Sequence, residues 1–466
     1  MTLDLRDKPV LVLGLGDTGL SAARFLARRG ARLRVADTRE APPRRAELEA
    51  FSPRPEIHCG PFTPRAFDGV ELVVISPGVP REEPLVSDAL ERGIPVIGDV
   101  ELFALALEEA RQKAAGAPAR VIAITGTNGK TTVTSMAGAM CRRAGLDTEV
   151  AGNISPAVLD AWMRREVAGS LPGAWVLEVS SFQLESTWSL MPTAGTVLNV
   201  TEDHMDRYAS LAAYSAAKAR VFNGCGSQVL NRDDPMVMAM RLPGDEPWSF
   251  GRGAPRGPRE FGLVEHGGES WLAEGNARLM RRAELTLSGL HNALNALAAL
   301  ALCRAAGLPR EPLVAALRAF RGLAHRVERV AEIGGVEYFD DSKGTNVGAT
   351  VAALEGLGRR VVLIAGGDGK GQDFSPLAPA VLRHARAVVL IGRDAELIAA
   401  ALNGGGVPLV RAPGLEQAVE TAGRLARPGD AVLLSPACAS FDMFRNYTHR
   451  AEVFVAAVRD LAGRSA

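Results

Sequence analysis

The stretch "VIAITGTNGKTT", residues 121–132, constrains the fold of this chain more than any other. An apolar, β-branched run ends in Gly126, Gly129, Lys130, Thr131 and Thr132, and a helical pattern follows at once. A strand that turns through glycines directly into a helix is one βα unit of a parallel sheet. The same residues carry chemistry. Backbone amides at a helix N-terminus cradle phosphates, a lysine there reaches the β- and γ-phosphates, and a threonine hydroxyl faces Mg²⁺. A strict Walker A pattern has glycine where this chain has Ile124, so the loop is a variant of that pattern. Phosphate-binding candidates are therefore Gly126, Thr127, Asn128, Gly129, Lys130, Thr131 and Thr132.

The strand–helix alternation recurs along all 466 residues. "VLVLGLG", "RLRVAD" and "LVVISPG" precede the phosphate loop, "WVLEVSSF", "GTVLNV" and "SQVLNRDDP" follow it, and "YFDDS", "VVLIAGG", "AVVLIG" and "AVLLSP" come late in the chain. Such apolar runs, bounded by Gly or Asp and separated by helical patterns, read as buried parallel strands. The expectation is an α/β chain of three domains in line, with boundaries at 1–99, 100–322 and 323–466. The outer two are Rossmann-like and the central one is P-loop ATPase-like. Segment 245–288, rich in Gly, Pro and Arg, reads as small antiparallel strands appended to the central domain. Ligands then belong at the carboxyl ends of parallel strands and in clefts between domains.

Composition excludes several classes. Lys plus Arg balance Asp plus Glu at 53 each, with the signs interspersed, which argues against a nucleic-acid binder. The five cysteines are scattered and form no CxxC pair, favouring reduced thiols in the cytoplasm. The charged start "MTLDLRDKPV" lacks a signal peptide's apolar run, and no stretch is long enough to span a membrane. The chain reads as cytoplasmic, with no nucleic-acid and no membrane partner.

Other motifs supply candidate residues. "GLGDTGLS" puts Gly14, Gly16 and Gly19 in GxGxxG spacing, with Asp37 closing the next strand. This fits a dinucleotide, and equally a UDP-type nucleotide held by the same helix N-terminus. In "LEVSSFQLE", Glu178 lies inside an apolar run. A buried carboxylate needs a cationic partner or a metal, and a salt bridge and Mg²⁺ are both open from this segment alone. "NVTEDHMDRY" clusters Glu202, Asp203, His204 and Asp206 just past a strand, and it reads equally as an acidic helix start. "HNALNALAAL" sets Asn292 and Asn295 on one helix face, where a capping role competes for Asn292. "DDSKGTN" (340–346), "GGDGKGQDF" (366–374) and "SPACASFDMFRNYTHR" (435–450) are polar clusters expected along one sheet edge.

Lysine usage sharpens this. Only six of the 53 basic residues are lysine, and Lys130, Lys218, Lys343 and Lys370 lie in or near these clusters. Lysine differs from arginine as a compact charge with a tunable pKa and a nucleophilic neutral form. Lys218, in "AAYSAAKARVF", otherwise reads as an ordinary helix-surface residue.

Taken in order, these motifs resemble the Mur ligase family over nearly the full chain, "HRVERV" included; one departure is "GNIS" at 152–155, where GNIG is usual. The resemblance implies ATP-dependent amide formation through an acyl phosphate, in the branch that adds D-glutamate to UDP-N-acetylmuramoyl-L-alanine. It implies Asp17, Thr18, Thr38, Arg39, Ser76, Ser180 and Gln183 for the UDP substrate. For ATP it implies the phosphate loop with Asn153, Asn295, Arg326 and Asp341, and for D-glutamate Lys343, Thr345, Lys370, Ser440 and Phe441. Thr131, Glu178, His204 and Lys218 would serve two Mg²⁺ ions, Lys218 as a carbamate, and Lys130, Glu178, His204 and Lys218 would be catalytic. Carbamylation requires the neutral amine, which burial favours and which arginine cannot supply. A monomer is expected. The competing readings are a folylpolyglutamate synthetase, a dinucleotide-dependent dehydrogenase using "GLGDTGLS", and a non-catalytic nucleotide sensor.

Overall fold

The computed structural model describes residues 4–113, 118–244, 246–287 and 289–465. Residues 245 and 288, the ends of the expected antiparallel segment, lie outside the described residues, as do residues 1–3 and 466. The described chain forms three sheets.

The first sheet contains β1 (Pro9–Leu13), β2 (Arg32–Asp37), β3 (Glu56–Cys59), β4 (Leu72–Ile75) and β5 (Val96–Ile97) in the order β3-β2-β1-β4-β5. All its pairings are parallel. The order reverses at β1, so the loop after β1 opens at a switch point, where such sheets bind ligands.

The central sheet holds β6 (Arg120–Thr125), β7 (Thr148–Gly152), β8 (Ala174–Glu178), β9 (Ala194–Val197), β10 (Gln228–Asn231), β11 (Trp248–Phe250), β12 (Glu260–His266), β13 (Glu269–Glu274) and β14 (Ala277–Arg281). Their order is β14-β13-β12-β11-β10-β9-β6-β8-β7. The expected antiparallel addition is corrected in one respect. Its first strands are not antiparallel: β11 joins β10, and β12 joins β11, in parallel, and only the β12–β13 and β13–β14 pairings are antiparallel. Phe250 and Phe261 on these strands are buried against the helix Leu290–Ala305 core, which draws the segment onto the main sheet.

The third sheet contains β15 (Glu328–Ile333), β16 (Val336–Asp340), β17 (Val361–Gly366), β18 (Ala385–Ile391), β19 (Leu409–Arg411) and β20 (Ala431–Leu434), ordered β15-β16-β20-β17-β18-β19. It is parallel except for the edge strand β15. No described helix is long and apolar enough to cross a membrane. All five cysteines are free thiols.

Candidate active site

Register brings the central motifs together. Ile124 of β6 and Gly152 of β7 both pair with Glu178 of β8, and Thr125 pairs with Val197 of β9. The phosphate loop, the Asn153 loop, Glu178 and the loop after β9 therefore leave one edge of the sheet side by side. The phosphate loop enters helix Lys130–Arg143 with Gly129 as N-cap at φ +83. A Cβ on Gly129 would lie 2.5 Å from Asn295 Oδ1, so the loop approaches the Asn295 helix with bare backbone. The loop is braced from β9: the Thr127 and Asn128 amides donate to Asn199 O (3.0 Å) and Oδ1 (2.8 Å).

Two lysines converge on one carbonyl. Lys130 Nζ donates to Gly126 O (2.9 Å) and Thr127 O (2.9 Å), and Lys218 Nζ donates to the same Gly126 O (3.1 Å). Lys218, on helix Leu211–Ala219, is 1% exposed, with its ammonium 4.2 Å from the Tyr214 ring centroid. Burial, then the neighbouring Lys130, hold its pKa well below the usual lysine value. Burial of this kind favours the neutral form of a lysine, whereas an arginine would stay charged. Burial also depresses Lys130, with Arg326 and Lys343 adding to the effect against Glu178 and Asp203.

Glu178, 2% exposed, accepts from Asn153 Nδ2 through Oε1 (2.9 Å), while its Oε2 is buried without a hydrogen-bond partner among the described residues. An orphaned carboxylate oxygen is expensive unless a cation takes it up. Burial pushes His204 down to about 4, with Lys370 and Lys130 contributing, so its ring is neutral near pH 7 and keeps a lone pair. An orphaned carboxylate oxygen and a neutral imidazole beside a phosphate loop are donors that suit a divalent cation. The Thr131 hydroxyl belongs to the same loop.

The third domain closes over this edge. Its loops leave β16, β20 and β17, three adjacent strands. Lys370 pairs with Asp203, and Asn346 Nδ2 donates to Asn128 Oδ1 (3.0 Å) and Asp203 Oδ2 (3.3 Å). A cleft between the domains is lined by Asn128, Asn295, Arg326, Asp341 and Lys343. Burial pushes Asp341 up to about 7 despite its bond from Ser435 Oγ (2.7 Å), and pushes Lys343 down to about 8. Thr345 follows on the same loop, its amide bonded to Lys343 O (2.9 Å). Ser440 is buried, but Phe441 is 74% exposed. The Tyr447 ring centroid lies 3.7 Å from the Lys343 ammonium. Tyr447, Asp203 and Asn346 are members of quoted motifs that sequence reasoning did not assign roles; only their tertiary partners single them out.

In the first domain, helix Asp17–Arg28 starts directly after Gly16. Ser76 Oγ donates to Gly14 O (3.0 Å), and a Cβ on Gly19 would fall 1.8 Å from that oxygen, so glycine is required there. Asp17, at the helix start, pairs with Arg44 in solvent, and Thr18 follows it. Thr38 and Arg39 are exposed at the end of β2. Asp37 accepts from the Leu15 amide (2.6 Å), the Arg39 amide (2.9 Å) and the Arg39 guanidinium (2.8 and 2.6 Å). Burial alone would raise Asp37, but these donors hold it below the usual carboxylate range. The acid that a dinucleotide reading needs for a ribose is thereby already engaged. Ser180 and Gln183 form a capping box on helix Ser181–Glu185, and Gln183 Nε2 donates to Asp99 Oδ2 (3.0 Å). That bond ties the first interdomain junction to the strand end bearing Glu178.

Comparison with known proteins agrees with this layout. The chain matches the Mur ligase MurD-like N-terminal domain over residues 8–98, the Mur ligase middle domain over 124–303 and the Mur ligase glutamate ligase domain over 325–438. A protein of Nitrosospira multiformis named UDP-N-acetylmuramoylalanine--D-glutamate ligase is 59% identical over 461 residues, 98% of this chain and 97% of its own. One of the same name from Thiobacillus denitrificans is 58% identical over 471 residues, 100% of this chain and 98% of its own. Among solved structures, a UDP-N-acetylmuramate-alanine ligase from Thermotoga maritima covers 97% of this chain and 99% of its own, with a TM-score of 0.61 at 19% identity, a likeness of fold.

Proposed function

The chain belongs to the Mur ligase family, and from that premise we propose that it adds D-glutamate to UDP-N-acetylmuramoyl-L-alanine in the cytoplasm, as a monomer. It is an ATP-dependent, amide-bond-forming ligase of peptidoglycan precursor synthesis. The observation that carries the specific reading is the pairing of Lys370 with Asp203 and of Asn346 with Asn128, which puts the third domain's polar loops against the phosphate loop. Residues 1–99 then hold the UDP substrate, 100–322 hold ATP, and 323–466 hold D-glutamate.

The substrate's terminal carboxylate attacks the γ-phosphorus, the bond to the β-phosphate oxygen breaks, and ADP leaves. The amine of D-glutamate then attacks the acyl carbon, loses a proton, and expels inorganic phosphate. Lys130, Arg326 and Lys343 concentrate positive charge where the polyphosphate lies, which counters the charge that builds up in transfer. Gly126 to Thr132 and Asn153 bind phosphates, and Asn295 and Asp341 the nucleoside. Lys370 pairs with the amino acid's side-chain carboxylate in place of Asp203, with Lys343, Thr345, Ser440 and Phe441 around it. Thr131, Glu178, His204 and Lys218 would hold two Mg²⁺ ions, which neutralise phosphate charge. Lys218 serves as a carbamate: its neutral amine attacks CO₂, a C–N bond forms, a proton leaves, and an anion results. Asp17, Thr18, Thr38, Arg39 and Ser76 take the uridine nucleotide, and Ser180 and Gln183 the rest of that substrate.

Phosphate release from ATP tests the reading. It should require both UDP-N-acetylmuramoyl-L-alanine and D-glutamate. Release with either one alone, or turnover of a nicotinamide cofactor, would overturn it.

A further inference from the structure

The cleft between the phosphate loop and the third domain has two helical walls. One is helix Leu290–Ala305, carrying Asn292 and Asn295. The other is helix Val347–Gly356, contributing Gly348, Ala349 and Ala352. The ring of His291 lies where the walls meet. A Cβ on Gly289, the N-cap of the first helix, would fall 2.8 Å from His291 Cε1 and 3.2 Å from Gly356 Cα. A Cβ on Gly356, the last residue of the second helix, would fall 2.9 Å from the same Cε1. The imidazole therefore occupies a slot bounded by bare backbone from both domains, and it also hydrogen-bonds the Ala352 backbone.

Gly289 has φ +95, which by itself calls for glycine. Gly356 has no such need. It is the last helical residue, with no left-handed φ, a place that alanine fills at least as well as glycine. Close approach of the His291 ring is what remains to account for glycine there. Burial pushes His291 down to about 4, so the ring in the slot is neutral.

We propose that His291, keyed between Gly289 and Gly356, is a positioning residue that sets the spacing of the two cleft walls when the third domain closes. Neither the ring nor the glycines need touch the reacting atoms. The role is to bring the Asn295 and Lys343 sides of the cleft to one fixed separation. This rests on reading the cleft as the ATP site.

The test uses the full chain with Gly356→Ala, His291→Ala and the double variant. The added methyl meets the ring, so Gly356→Ala should raise KM for ATP about tenfold or more, since a misplacement of about 1 Å is enough for that. Its thermal stability should be unchanged or higher, because alanine favours the helix. Calorimetric binding of the UDP substrate should match wild type. Removing the ring makes room, so the double variant should return to the milder KM of His291→Ala. Small-angle scattering of the nucleotide-free protein, which does not depend on the ATP reading, should find Gly356→Ala more extended than wild type and the double variant less so. A wild-type KM and radius for Gly356→Ala, or a double variant no better than Gly356→Ala, would overturn the proposal. Absence of ATP-dependent phosphate release in wild type, with the scattering pattern intact, would overturn the ATP reading and leave the keying in place.

Discussion

Asp99 offers a perturbation whose size can be worked out. It is buried at the start of helix Asp99–Lys113, where the first domain meets the second. Its Oδ2 accepts from Gln183 Nε2 (3.0 Å), and its Oδ1 is buried without a partner among the described residues. Burial raises its pKa from 3.8 to about 6, against the Gln183 bond and two backbone bonds. An acid raised in the folded state binds more protons folded than unfolded between the two values, so its contribution falls as pH rises from 3.8 through about 6. At 1.36 kcal/mol per unit, the loss is about 1 kcal/mol by pH 4.5 and about 3 kcal/mol by pH 7.5. Asp99→Asn keeps an acceptor for Gln183 and does not titrate. Its amide adds an unpaired buried donor, a pH-independent offset of about 1–3 kcal/mol. Urea unfolding of both proteins, followed by tryptophan fluorescence, should therefore show the variant gaining about 2 kcal/mol on wild type between pH 4.5 and 7.5. Trp188, whose amide donates to Glu101 Oε2 (2.6 Å), reports from the same junction. A stability difference that is flat with pH, or that moves the other way, would refute the assignment of Asp99 as a desolvated acid.

Three further outcomes are expected. Gly129→Ala puts a methyl 2.5 Å from Asn295 Oδ1 at φ +83, so kcat/KM for ATP in a phosphate-release assay should fall about tenfold or more, with about 1–2 kcal/mol of stability lost; wild-type kinetics would contradict this. Glu178→Gln keeps the Asn153 bond but removes the anionic oxygen, so Mg²⁺-dependent phosphate release should fall about 100-fold or more with an unchanged circular dichroism spectrum; an unaltered Mg²⁺ titration would contradict it. Lys218→Ala should be inactive and partly restored by formate or acetate, whereas Lys218→Arg should not be restored; full activity of Lys218→Ala without added acid would end the carbamate reading.

Chemistry that depends on a residue's position within a strand or turn was legible in the sequence. Glu178 stood out as an acid inside an apolar run, and it is indeed buried at the end of β8. Lys218 stood out because the chain elsewhere prefers arginine. The three late polar loops do leave adjacent strands. What depends on packing across long sequence separations was not legible. Asp203 and Lys370, 167 residues apart, meet only because the third domain closes. Asp99 looks like an ordinary acidic helix start until the domain junction buries it. Tyr447, in the same quoted motif as Ser440 and Phe441, had no role from the sequence; only the fold brings its ring, at the start of helix Tyr447–Ser465, to Lys343. Likewise the Gly- and Pro-rich composition of 245–288 concealed that β11 and β12 continue the central sheet.

On the proposed mechanism, the carboxylate of the UDP substrate becomes an acyl phosphate before the amide forms. The direct measurement uses UDP-N-acetylmuramoyl-L-alanine labelled with ¹⁸O in its terminal carboxylate, together with ATP and D-glutamate, and mass analysis of the released phosphate. One carboxylate oxygen should pass to phosphorus and leave with it, so each phosphate formed from fully labelled substrate should carry one ¹⁸O. Phosphate without ¹⁸O, formed alongside the amide product, would contradict an acyl-phosphate route.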